Sequence, residues 1–399
     1  MDYKLNDGTL EIALIRRIES NNANEVGAEL DKICAANPHE SIVLDAGELE
    51  YISSAGLRVL LRLQKSERKR LSVINVSGEV YEIFEMTGFA QLMDIKKAMR
   101  FVSIKGLEMI GRGGNGCVYR LDRDTMIKSF YNAKSVEEID KGREYARAAF
   151  IRDIPTAISY ETVKCEDGYG ILFELLHAKP LSDVIMEDEE HRDEYIDKYI
   201  DLLIKLHTTE VEEGEFPAMN DSFMMYAEAA KPYITDEEYN KFVEFLNWLP
   251  RRNTLVHGDF HTHNIMVQDG ELILIDMDDV CVGHPVIELG GMLLAYYYLP
   301  RIATNESIRK FLHLSVELSH ELWDRVVRRY FKTDDEAQIE TINKKLMSYM
   351  NFRKFCHSII RGGDDEMMMQ RIEVFRKDVL PRFDEMMADE EFLKEMPVL

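Results

Sequence analysis

The 399-residue chain has only two tryptophans, ten prolines and five cysteines, and no apolar run long enough to span a bilayer. The cysteines, at 34, 117, 165, 281 and 356, are odd in number, scattered, and never spaced C-x-x-C. That pattern argues against a disulfide framework or a zinc knuckle and predicts a reducing, cytoplasmic setting. The opening MDYKLNDGTL lacks the basic and apolar regions of an export signal. Basic charge is scarce as well: 49 Lys and Arg stand against 73 Asp and Glu, a net charge of −24. Residues 1–100 hold 13 basic and 16 acidic side chains, so most of the excess lies in the remainder. Such a field repels nucleic acid and anionic membrane, so neither is an expected partner, and it draws cations. The apolar share of 46% is that of a globular protein, and the length allows two or three domains.

What is present reads in two parts. The first opens with YKL and TLEIALIRRI on either side of Asn6-Asp7-Gly8, a hairpin signal. Val26, Leu30 and Ile33 recur at helical spacing, and SIVLD (41–45) has the run of a buried strand. A helix at about 54–69, a strand at 71–77 and a helix at 78–88 follow, so strands alternate with helices and predict an α/β domain over residues 1–100. Within it, LDAGELEYISSAGLRVLL (44–61) sets Ser53 and Ser54 before an amphipathic helix, where a hydroxyl caps free N–H groups. This stretch, with NVSGEVYEIFEMTGF further on, resembles the STAS family of anti-sigma factor antagonists over about residues 3–100. The resemblance implies a regulatory or interaction domain with a protein partner. It also implies a phosphoacceptor at Ser54, where a phosphate would load a docking face with negative charge. The family often has aspartate where this chain has Ser53, and a plain helix cap is the competing reading of Ser54.

The second part starts with LEMIGRGGNGCVYRLDRDTMIKSF (107–130). Gly111, Gly113, Gly114 and Gly116 let backbone N–H groups close on phosphate oxygens without a Cβ in the way. A dinucleotide site needs a helix after its glycines, whereas CVYRL, a turn at 122–124 and MIKSF are strand-like. That order fits a kinase glycine loop, with Val118 over adenine and Lys128 reaching the α/β-phosphates. Glu144, sixteen residues later on a helical stretch at 136–151, is the expected partner of Lys128. Glu174–Leu176, ending the apolar run GYGILFELL, are expected to be the hinge whose backbone holds adenine. LVHGDFHTHNIMVQDGELILIDMDD (255–279) then supplies Asp259 as the expected catalytic base. Asn264 and Asp276 are the expected Mg²⁺ ligands, with Asp278 in support. His257, His261 and His263 also permit a zinc reading, which leaves the glycines and Asp276 without a role; His257 is expected to buttress the loop instead.

No arginine precedes Asp259, and only VCVGHPVI separates Asp279 from the next helical stretch, too little for a peptide platform. HGDFHTHN and LIDMDD look like the aminoglycoside phosphotransferase and choline kinase family. The likeness runs over about 107–300, with a compatible helical region to about 395. It implies ATP and Mg²⁺ as cofactors, Asp259 as base, Asn264 and Asp276 on the metal, and Lys128 on the nucleotide. It also implies a small, often cationic hydroxyl acceptor bound by acidic residues of the helical lobe. Glu288 stands where members usually have aspartate and is expected to serve in its place. Asp364, Asp365 and Glu366, and Glu187–Glu190, are the acidic groups on offer, although each reads more plainly as a solvated loop, and Tyr296–Tyr298 read as core.

The expected architecture is α/β plus α+β: a STAS-like domain at 1–100, then a bilobal protein-kinase-like fold with lobes at 107–176 and 177–399. The expected activity is phosphoryl transfer from ATP to a small-molecule hydroxyl. A signalling kinase acting on a serine such as Ser54, and a nucleotide-gated module without catalysis, are the alternatives. Cys117, within the glycine loop, reads as redox-sensitive or as a small residue that fits.

Overall fold

A computed structural model describes residues 1–131, 135–166, 168–394 and 396. Positions 395 and 397–399 of the expected helical lobe therefore lie outside the described residues. The chain divides into two compact units: Met1–Ser103 with Thr162–Asp167, and Ile104–Glu161 with Gly168–Leu399. Among the described residues, no helix is long and apolar enough to cross a membrane.

In the first unit, Asp7 and Gly8 take positive φ (44° and 75°), so the Asn-Asp-Gly signal does turn the chain between Tyr3–Asn6 and Thr9–Ala13. The sheet runs in the order Tyr3–Asn6, Thr9–Ala13, Ser41–Asp45, Ser72–Val76, Asp94–Lys97, parallel after the first pair. Alternate residues of Thr9–Ala13 and Ser41–Asp45 are buried, and Leu10, Ile12, Ile42 and Leu44 share a core with Leu30, Leu60 and Phe84 of the helices Ala23–Ala36, Ser54–Ser66 and Gly78–Met86. Asp94–Lys97 has no counterpart in the sequence reading. It is a short, lysine-bearing edge strand, the kind that protects a sheet margin and leaves little hydrophobic signal. Ser53 is the helix cap: it is buried and accepts from the Gly56 N–H at 3.3 Å, while Ser54, the first helical residue, is exposed.

In the second unit, Gly168–Glu174, Thr125–Phe130, Gly116–Arg120 and Met109–Arg112 run as antiparallel neighbours. Val118 and Ile171 stand directly across from Lys128, which puts all three on one face of the sheet. A Cβ on Gly116 would lie 2.1 Å from the Ser129 carbonyl oxygen, so strand packing alone demands glycine there, whereas Gly113 and Gly114 face open space. The helix Val136–Ile151 starts with a capping box, in which Ser135 and Glu138 satisfy each other's backbone N–H groups.

The larger lobe packs helices around an aromatic centre. Phe242, Phe245, Phe352, Phe355, Phe375 and Phe383 are all buried, with Phe245 and Phe383 stacked at 4.3 Å. Gly290 and Gly291 let the helix Val286–Leu293 press against Glu336–Ile360. A Cβ at Gly290 would meet the Met350 nitrogen at 2.9 Å, and one at Gly291 the Arg353 guanidinium at 1.7 Å.

Two glycines of one loop are therefore expected to behave oppositely. Gly116→Ala should lower stability by about 2 kcal/mol, and Gly113→Ala should change it by less than about 0.5 kcal/mol, as read by denaturant unfolding.

Candidate active site

The sheet of the second unit and the segment 255–279 bound a cavity of about 550 Å³. Lys128, Asp259, Asn264, Asp276 and Asp278 all line it, as do Gly113, Gly114 and Gly116. Val118, Met126, Ile171, Phe173, Met266 and Leu274 make its wall apolar at one part, a surface suited to a flat heterocycle, with the polar groups gathered elsewhere. Gly111 is off the wall, with its backbone against Val118.

Lys128 donates to Asp276 Oδ1 at 2.7 Å and to Asp278 Oδ2 at 3.0 Å. Burial works against its charge, but Asp278 and then Asp276 outweigh that and hold the ammonium above the ordinary lysine range. Glu144 does not join this group. The helix Val136–Ile151 turns Ile139, Ala146 and Ala149 inward, and Glu144, two residues before Ala146, is carried to the exposed side. There it lines a neighbouring recess with Arg147 and Phe150, while Gly142 and Arg143 face the cavity.

The expected hinge, Glu174–Leu176, directly follows Phe173 of the cavity wall. Glu174 and Leu176 do not line the cavity, whereas Phe173 and Pro180 do. Glu174 instead ties down a loop: its Oε1 accepts from the Ile158 N–H at 2.7 Å, and its own N–H donates to the Ile158 carbonyl at 3.1 Å. Cys117 is buried beside Tyr131, with Sγ 3.0 Å from the phenol oxygen.

The loop carrying Asp259 is held from behind by side chains. Glu288, at 2% exposure, accepts from the Gly258 N–H at 2.7 Å, the His257 N–H at 3.2 Å and His207 Nε2 at 2.8 Å. Burial pushes its carboxyl up, but the His207 bond and charge overcome that and leave it below the ordinary range, hence ionised. Gly258 has φ +84°, and a Cβ there would lie 2.6 Å from the Asp279 carbonyl, so only glycine fits. His257 is the expected buttress: its Nδ1 accepts from the Asp259 N–H at 3.3 Å, and its Nε2–H donates to the Ile275 carbonyl at 3.1 Å. Tyr296 adds a prop, its hydroxyl accepting from the Thr262 N–H at 2.8 Å.

Asn264 Nδ2 donates to the Asp259 carbonyl at 3.0 Å and to Asp259 Oδ2 at 3.3 Å. Burial opposes the Asp259 charge, but the hydrogen bond and charge of His261, then Arg353 and His257, pull the carboxyl down to about 2. It is an anion at neutral pH.

With Nδ2 so engaged, Asn264 Oδ1 is left to join Asp276 and Asp278. Two carboxylates and an amide are hard oxygen donors, and the two carboxylates already hold one cation, the Lys128 ammonium. The set fits a Mg²⁺ whose remaining ligands are phosphate oxygens and water. Among the described residues, no three His, Cys, Asp or Glu side chains gather as a metal site, and His257 directs both ring nitrogens to backbone, which leaves the zinc reading without its third imidazole. Asp276 takes φ +59°, left-handed backbone that aspartate tolerates and that is frequent where function fixes a side chain.

Sequence reasoning placed Tyr296 in the core, where it lies, but missed its bond to the loop, as it missed His207 and Arg353. The last donates to the Gly258 carbonyl from 95 residues away. Nothing local in the sequence signals such a contact.

Residues 118–326 match the model described as a phosphotransferase enzyme family, and residues 1–95 match one described as Mlab, STAS domain. Over 92 residues the chain is 37% identical to BtrV of Bordetella bronchiseptica, a protein named provisionally as an anti-sigma factor antagonist; the match spans 22% of this chain and 78% of that one. Among solved structures, the gentamicin complex of APH(2'')-IIa matches at 16% identity and a TM-score of 0.46, over 77% of this chain and 99% of that one. A choline/ethanolamine kinase family protein from Mesorhizobium loti matches at 12% identity and a TM-score of 0.42, over 73% and 92%.

Glu288→Gln should cost roughly 3 kcal/mol at pH 7, because an amide cannot accept from all three donors. A carboxyl with a depressed folded pKa stabilises fully above its unfolded pKa and loses that contribution as pH falls through the folded one. The gap between wild type and variant should therefore narrow below the ordinary glutamate range, as measured by denaturant unfolding across pH.

Proposed function

The chain belongs to the phosphotransferase enzyme family and carries a STAS domain, and from that premise we propose that it transfers the γ-phosphoryl group of ATP to a hydroxyl of a small molecule. The observation that carries this reading is the meeting of an ionised Asp259, Lys128 and the donors Asn264, Asp276 and Asp278 in one cavity with an apolar wall. Gly113 and Gly114, with open space above them, leave backbone N–H groups clear for phosphate oxygens.

In the transfer, the bond from the acceptor oxygen to Pγ forms as the bond from Pγ to the bridging oxygen breaks, and ADP leaves with that electron pair. The acceptor proton passes to an Asp259 carboxylate oxygen. A carboxylate held near pKa 2 is a weak base, which suits a loose transition state that asks little activation of its nucleophile; Asp259 chiefly aims the hydroxyl. His257, Asn264 and Glu288 keep that aim by fixing the loop. Lys128 pairs with phosphate oxygens once they enter, releasing part of its hold on Asp276 and Asp278. Asn264, Asp276 and Asp278 would hold a Mg²⁺, which would supply charge neutralisation on the transferring group.

A second reading is favoured by one observation. Ser53 caps its helix and is buried, while the Ser54 hydroxyl is exposed at the helix N-terminus, where a phosphate is electrostatically tolerated. On this reading the STAS domain docks a protein partner and Ser54 is a phosphoacceptor.

Asp259→Asn should lower ATP turnover by 10²-fold or more, roughly the range for positioned acid–base groups, with nucleotide affinity little changed. Wild-type turnover in the variant would remove Asp259 from the chemistry. Intact-mass analysis after incubation with Mg²⁺ and ATP separates the readings. An unchanged mass with acceptor-stimulated ADP release supports the first, and one added phosphate at Ser54 without acceptor stimulation supports the second.

A further inference from the structure

A second space opens beside the nucleotide cavity. The helix Val136–Ile151 presents Asp140, Arg143, Glu144, Arg147 and Phe150, at spacings of three and four, to a recess of about 530 Å³. The facing wall is the segment 156–160, and the small, buried side chains of Ala146 and Ala157 leave the hollow between them. Around it, Phe150, Ile158 and Tyr160 are 47%, 43% and 52% exposed. One exposed apolar side chain is ordinary, but three around one recess mark a surface suited to a ligand.

Two of the charges in the recess are used by the fold. Arg143 pairs with Asp140 at 3.1 Å and donates to the Tyr160 carbonyl at 2.6 Å, which ties the helix to the facing wall. The other two are left over. Among the described residues, neither the Glu144 nor the Arg147 side chain, one helical turn apart, has an ion-pair or hydrogen-bond partner. An anion and a cation so placed suit a ligand that carries both charges a few bonds apart. A ligand with a single charge meets one of them and sets its like charge against the other. The volume falls in the range of small-molecule sites. An α-amino acid joins a carboxylate, an ammonium group and an apolar body on one carbon.

We propose that this recess binds an α-amino acid with a branched or aromatic side chain, and that its occupancy alters nucleotide binding in the adjoining cavity. The carboxylate sits on Arg147, the ammonium on Glu144, and the side chain lies against Ala146, Ala157, Phe150 and Ile158. The coupling has a physical route. Arg143, Ala146, Ala157 and Ser159 line both spaces. The same helix packs on the turn Met277–Asp279, which carries Asp278. A ligand that draws the helix and the facing wall together therefore moves a wall of the nucleotide cavity, and linkage makes the effect mutual. Binding in the recess needs no phosphoryl transfer; only its effect on nucleotide rests on the phosphotransferase reading.

Isothermal titration calorimetry of the full chain tests this with L-phenylalanine, L-leucine, glycine, 3-phenylpropionate and phenethylamine, first without nucleotide and then with saturating Mg²⁺ and ADP. L-Phenylalanine or L-leucine should bind. Glycine, which lacks the apolar body, and the two single-charge analogues should bind at least about tenfold more weakly. Arg147 and Phe150 lie outside the nucleotide cavity. Arg147→Glu and Phe150→Ser should therefore each weaken amino-acid binding about tenfold and leave the ADP affinity of the unliganded chain unchanged. Saturating ADP should change the amino-acid affinity by about fivefold or more without abolishing binding. Binding of none of the five compounds overturns the site. So does equal binding of the amino acid and its single-charge analogues, or binding that Arg147→Glu leaves intact. Abolition by ADP places the ligand in the nucleotide cavity and overturns the recess, whereas a smaller change than expected overturns the coupling. A chain that binds the amino acid with these preferences and does not bind ADP keeps the recess and refutes the nucleotide reading, with the coupling that rests on it.

Discussion

A single buried carboxylate fixes the active loop. Glu288 takes three donors, two of them consecutive backbone N–H groups, and so sets the direction in which residues 257–259 leave the interior. An ion this deeply buried is tolerable only when its bonds are complete, since desolvating a carboxylate costs several kcal/mol. The completion extends further back. His207 must donate from Nε2 to Glu288, its Nδ1 lies 2.8 Å from the Tyr330 hydroxyl, and Glu288, His207 and Tyr330 are all buried. Gly258, with its positive φ and no room for a Cβ, is the backbone counterpart of the same constraint. Asp259 and Asn264 inherit their positions from it.

The charges divide accordingly. At the nucleotide end, Lys128 lies between Asp276 and Asp278, a preformed balance that incoming phosphates and a divalent cation would rearrange without changing the residues involved. On the other side of Asp259, Arg353 donates to the Gly258 carbonyl, with Asp279 and Glu288 against the same glycine. The net charge of −24 conceals this arrangement, because bulk charge describes the solvated surface and not the centre.

Much of the site is legible in the sequence because its spacings are local. Asp259 and Asn264 bond to each other within one loop, and Asp276 follows the hairpin of Ile265–Gln268 and Glu271–Leu274, whose pairing of Ile265 with Leu274 returns the chain to Asn264. Lys128 is legible for a related reason, since pairing with Val118 across a hairpin fixes its face. Glu144 is not, because a helix of mixed polarity can expose either face, and Ala146 and Ala149 rather than an acid decide which one turns inward. The Glu174 carboxylate and N–H also tie down the loop at Ile158, a contact that the hinge expectation, which concerns backbone groups of Glu174–Leu176, does not foresee. Arg353 joins the loop through helix packing that the glycines at 290 and 291 permit, a tertiary fact with no short-range sequence mark. Ser53 and Ser54 look equivalent as letters, and only the burial of one hydroxyl tells them apart.

The claim on which the account rests is that Asn264, Asp276 and Asp278 hold a divalent cation together with a nucleotide in the cavity that contains Lys128. Electron paramagnetic resonance of Mn²⁺ titrated into the full chain tests it directly. The account predicts one bound ion per chain when ADP is present, far weaker binding without ADP, and an affinity lowered about tenfold or more by Asp276→Asn. Binding that ignores both ADP and the Asp276 substitution would place the metal elsewhere and contradict the site as built.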